Sequence, residues 1–80
     1  ASTDESIELK TLVAQLITQM QQQDIATDKI SAVEVAQSEL EKDAPNETVV
    51  SSILTSVIDS IKDVKEVSAT VATIAGLLIS

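Results

Sequence analysis

The sequence has no cysteine, no histidine and no aromatic residue, and its five basic residues are all lysine. Each absence removes a class of chemistry. Without histidine or cysteine there is no histidine-based triad, no thiol nucleophile and no zinc site of the usual ligands. Without cysteine the fold does not rely on disulfides, although this leaves the redox compartment open. Without arginine there is no planar fork to clamp a carboxylate or a phosphate. Glycine is nearly missing too. Gly76 is the only one, so no glycine-rich loop can cradle a phosphate. The stretch Asp24–Asp28 lacks the alternating oxygen ligands and turn glycine of a calcium loop. The carboxylate pairs Glu5/Glu8 and Glu34/Glu41 read as solvated faces of amphipathic helices. The expectation is a non-enzymatic protein with no cofactor and no metal.

Positive charge is scarce as well: thirteen acids against five lysines give a net charge of −8. Such a chain repels phosphate backbones, and it has no aromatic ring on which a base could stack. Nucleic acid is therefore not an expected partner. Anionic membrane surfaces are disfavoured for the same reason, though membrane contact is not excluded. The charge is uneven. Ten of the acids and three of the lysines lie in residues 1–48, which leaves the C-terminal part close to neutral.

What the chain does have is aliphatic side chains: nine valines, nine isoleucines, seven leucines and one methionine in 80 residues. That length predicts one small domain spanning residues 1–80, near the size at which a single core barely suffices. With neither disulfide nor metal as a staple, association with a second copy or with a partner or parent protein is the expected source of further stability.

The apolar spacing is helical throughout. Ser2 and Glu5 fit a capping box, followed by Leu9, Leu12, Val13, Leu16, Ile17 and Met20 on one stripe. This predicts a first helix over about 3–22. Thr27 is a candidate N-cap for a second helix over about 28–43, with Ile30, Val33, Ala36 and Leu40 on its apolar face. Pro45 ends that helix and opens the next, with Asp43, Ala44 and Asn46 as competing caps.

From Val50 every seventh residue is aliphatic: Val50, Val57, Val64, Val71 and Leu78. The positions three residues on are Ile53, Ser60, Val67 and Ile74. This heptad predicts one long helix over about 46–78 with a single coiled-coil-like seam. The fold class expected is therefore all-α, a small antiparallel three-helix bundle whose long C-terminal helix overhangs. The overhang supplies the candidate contact residues: Val64, Val67, Val71, Ala72, Ile74, Ala75, Gly76 and Leu78. Ala72 and Gly76 lie four apart, where small side chains let another backbone come close.

The segment Ile25 to Leu78 joins an acid-rich helix, the connection D-A-P-N-E-T, the run S-I-L-T-S-V-I-D-S-I-K-D-V and an alanine-rich apolar ending. It resembles helical accessory segments appended to bacterial multidomain proteins, some of them signalling- or defence-related. The resemblance implies an interaction module and carries over no site residues. The leading expectation is thus a structural or interaction domain that self-associates or docks on a partner through its C-terminal helix. The alternatives are a membrane-active or pore-related helix and an apolar-ligand carrier. The acidic N-terminus predicts no signal peptide, and Ala1 fits either methionine removal or leader cleavage. The uncharged run 67–80 is short of the roughly 20 residues of a membrane span. A cytoplasmic location is the default expectation, with secretion not excluded.

Overall fold

The structure, a computed structural model, describes residues 3–79, with side chains from Ile7 onward. The expected capping box of Ser2 and Glu5 lies outside the described side chains. Four α-helices follow one another: α1 (Thr3–Gln22), α2 (Thr27–Leu40), α3 (Glu47–Ile61) and α4 (Ser68–Ile79), with a 3₁₀ turn at Lys65–Val67 before α4. No strand occurs among the described residues.

Helix α1 forms where the stripe of spaced leucines predicts it, and Val13, Leu16, Ile17 and Met20 are buried. It stops at Asp24, which takes the left-handed conformation (φ 54°). The amide of Asp24 donates to the Gln21 carbonyl at 3.4 Å and that of Ile25 to the Met20 carbonyl at 3.1 Å. This is the two-bond Schellman closure, with aspartate where glycine is usual. Ile25 then packs against the core. Helix α2 is capped by Ala26, not by Thr27, and no side chain closes it. The Ala26 carbonyl already accepts from Lys29 (3.0 Å) and Ile30 (3.2 Å), so Thr27 is the first helical residue.

The connection from α2 to α3 is built from side chains. Helix α2 ends at Leu40, three residues earlier than its expected end. The Glu41 amide is shared between the Gln37 and Ser38 carbonyls, each at 3.2 Å, and Lys42 donates to Glu39 at 3.2 Å. Asn46 settles the choice among the three candidate caps. Its Oδ1 accepts from the Val49 amide at 3.2 Å. Its own amide donates to Glu39 Oε2 at 2.9 Å, and Lys42 Nζ holds the other oxygen of that carboxylate at 3.0 Å. One acid at the end of α2 thereby fixes the start of α3.

The long helix expected over 46–78 is two helices, so the three-helix count becomes four. Helix α3 ends at Ile61, and Val64 is extended (φ −80°, ψ 109°). A single helix over residues 47–79 would run about 50 Å, whereas the longest dimension of the molecule is 32 Å. An unbroken helix would carry Val67, Val71 and Ile74 out of the core, and burying each contributes about 1.5–3 kcal/mol. Breaking it gives up a few exposed backbone hydrogen bonds at about 1 kcal/mol net each. Burial wins, and the chain turns.

The turn also rephases the seam. In α3 the buried residues are Val50, Leu54, Val57 and Ile61, so Leu54 and Ile61 take the places that the heptad gives to Ile53 and Ser60. Ser60, on the seam by sequence, is exposed, and its Oγ donates to its own helix at the Val57 carbonyl, 2.8 Å away. Across the turn Val67, Thr70, Val71 and Ile74 are buried. Thr70, outside the heptad seam, is buried with them by the spacing i, i+3, i+4, i+7 that starts at Val67. Helix α1 packs on both α2 and α4, α2 packs on α3, and α3 meets α4 only lightly. Among the described residues the buried side chains are apolar apart from Thr70, with Gln19 Oε1 enclosed at their edge.

Candidate interaction surface

The eight contact candidates divide cleanly. Val67, Val71 and Ile74 are core residues, and Val67 and Ile74 are fully buried. In the closed molecule these three are covered by the chain's own helices. Val64, Ala75 and Leu78 are half-buried, while Ala72 and Gly76 are exposed. The apolar stripe of the late seam is present, and α1 of the same chain packs over it. The turn at Lys62–Val64 brings the overhang back onto α1.

On the opposite side of α4 the exposed positions include Ala69, Ala72, Thr73 and Gly76, at i, i+3, i+4 and i+7, and Ile79 continues that face three residues beyond Gly76. Ala69 and Thr73 share that face with the two expected residues at helical spacing, but neither was among the expected contacts. No charge occurs from Val67 to Ser80. Thr73 Oγ1 turns inward to the Ala69 carbonyl at 3.0 Å, which satisfies the hydroxyl within the helix and leaves the face low and smooth. A Cβ built on Gly76 would meet no atom within 4 Å. Packing inside the molecule gives no reason for glycine there, and its backbone is not left-handed. A helix-interior glycine nonetheless costs about 0.5–1 kcal/mol relative to alanine.

The described charged side chains lie on the rest of the surface. Large exposed apolar side chains are Ile7, Val35, Val49 and Ile79, the last 88% exposed. Lys62 pairs with Asp59 at 3.3 Å on the surface, a contact worth little against solvent screening. Glu39 is held below the ordinary glutamate range, first by the Asn46 amide and then by the Lys42 ammonium. Its role is visible in that geometry: it ties a connection. Glu34 and Glu41 lie exposed. Among the described residues no group of three or more acids is arranged to hold a metal ion, and no helix is long and apolar enough to cross a membrane.

Comparison with known proteins leaves the surface to speak for itself: no family model, no curated protein and no solved structure matches this chain.

Proposed function

We propose that this chain is a non-enzymatic interaction module that pairs with a second copy of itself through the outer face of α4. The carrying observation is the uncharged, small-residue strip Ala69, Ala72, Thr73 and Gly76 on a molecule of net charge −8. A two-fold contact sets the same face against itself. Two copies meeting through an acidic face would bring like charges together, whereas the α4 strip brings none. Gly76 supports the same reading, since its missing side chain serves no packing within one copy and permits a close helix approach between two.

Sedimentation of the native protein at micromolar concentration, beside Ala72→Asp and Gly76→Ala, tests this. Ala72 is exposed, so Ala72→Asp keeps its helical circular dichroism and loses the association. Gly76→Ala becomes about 0.5–1 kcal/mol more stable as a folded chain and pairs more weakly. A native protein that stays monomeric, or pairing untouched by Ala72→Asp, overturns the proposal. The membrane-active alternative has the uncharged run 67–80 in its favour. It requires α4 to leave the core and expose Val67, Val71 and Ile74. Co-sedimentation with neutral phosphatidylcholine vesicles, with loss of the folded core, would favour it.

A further inference from the structure

Between α3 and α4 the backbone leaves helical geometry only briefly. Lys62 (φ −61°, ψ −22°) and Ser68 (φ −61°, ψ −39°) are both right-handed helical, and Val64 between them is extended. Asp24 is the only described non-glycine residue with positive φ, so no left-handed residue locks this turn. Neither proline nor glycine lies between Pro45 and Gly76. The turn is closed by Val64 donating to Ile61 at 2.9 Å and Val67 donating to Val64 at 3.2 Å. Both carbonyls would serve equally in a continuous helix. Helix α4 rests mainly on α1 and only lightly on α3, so its main contacts do not depend on which chain supplies α3.

We infer that α4 is an exchangeable arm: segment 62–67 straightens, α3 and α4 join into one helix, and α4 docks on α1 of a second copy. A joined helix of about 50 Å overshoots the 32 Å molecule, so a straightened chain cannot keep α4 on its own α1. It exposes the stripe Val67, Val71, Ile74 and, at the same time, the α1 surface that the stripe covered. Two such chains bury both with the contacts of the closed molecule, related by a two-fold axis. Residues around Val64 gain helical hydrogen bonds, and the aliphatic heptad runs on through Val64. The inference shares α4 with the pairing proposed above but uses its inner face, and each stands without the other.

Refolding from urea at high protein concentration, then size separation and dilution, is the test. The expected product is a dimer that persists on dilution and decays as slowly as the protein unfolds. Lys65 opens the 3₁₀ turn directly after extended Val64, so Lys65→Pro fits the closed form. It interrupts a joined helix and should weaken the exchanged dimer by roughly 100-fold or more. Asp63→Ala, at an exposed position with better helix propensity, should raise the dimer yield severalfold. Ala72→Asp should leave the persistent dimer in place, which separates exchange from outer-face pairing. Absence of a persistent dimer in the native chain, or its survival in Lys65→Pro, overturns the inference. If Lys65→Pro loses its helical signal, Asp63→Ala decides, and an unchanged or lower yield overturns it.

Discussion

At the α2–α3 connection the chain carries Pro45, the Asn46 cap on Val49 and the Glu39 carboxylate on the Asn46 amide. At the α3–α4 connection it carries none of these. There Val64 is extended with no side-chain cap, and Ser68 Oγ merely donates to the Lys65 carbonyl at 2.9 Å. The first connection is specified by the residues it contains. The second is specified by residues elsewhere, because α4 reaches α1 only if the chain turns. Local chemistry can thus end a helix, and so can the demand for burial, but only the former leaves a mark in the adjacent sequence.

The contrast is broken most severely from the core. Val71→Asp puts a charge where the side chain is 6% exposed, at a cost of several kcal/mol. In a domain of this size that cost removes the fold: circular dichroism should show loss of most helix, and amide exchange at Val64 and Val67 should lose its protection first. Persistence of the turn without a docked α4 would show that it is encoded locally after all. A smaller effect follows from the other connection. Asn46→Ala should cost about 1 kcal/mol in urea denaturation and fray the start of α3, leaving the α3–α4 turn unchanged.

The α1–α2 junction sharpens the comparison further. Asp24→Gly relieves a left-handed aspartate and removes a carboxylate from the negative end of the α1 dipole, with an expected gain of about 1 kcal/mol. Thermal denaturation measures it, and a loss would mean that the aspartate side chain anchors the turn. The smallest expected effect is a dependence on pH. Glu39 is depressed in the folded chain, so its contribution is complete above the ordinary glutamate value and fades as pH falls through the lowered folded value. A melting-temperature profile of Glu39→Gln should therefore run below the native one at neutral pH and converge with it in acid. Parallel profiles would show that the carboxylate charge is idle.

The same contrast explains which elements the sequence disclosed. The stripes of α1 and α2 were legible because six and four apolar residues recur at helical spacing, and all of the buried residues described for those two helices lie on them. The interruption between the first two stripes was legible from their spacing and the one near Pro45 from proline chemistry, although α2 already ends at Leu40. The cap of α2 was not: Thr27 has the right side chain, but the Ala26 carbonyl takes the first intrahelical bonds. The α3–α4 turn was invisible for a stronger reason. Every residue from Lys62 to Val67 is acceptable in a helix, and the heptad passes through without a gap except at Ser60, now seen to lie on the exposed side. The surface on α4 was half legible. Ala72 and Gly76 stood out by size, Ala69 and Thr73 share their face by helical spacing without standing out by type, and Val67, Val71 and Ile74 are core residues.

The packing of α1 against α4 joins the beginning of the described chain to its end, and this sets an order of events in folding. Contacts of α1 with α2 and of α2 with α3 close between neighbours, at little cost in loop entropy, and helical chains with such contacts fold fast. Docking of α4 closes the longest loop in the molecule and has no local signal at the turn to guide it, so it should come last. Until then the side of α1 that α4 covers stays open. Folding rate constants should accordingly be insensitive to substitutions at Val71 and Ile74, while unfolding rates rise with them. The interval before α4 docks is also the moment at which protein concentration can decide whose α4 arrives.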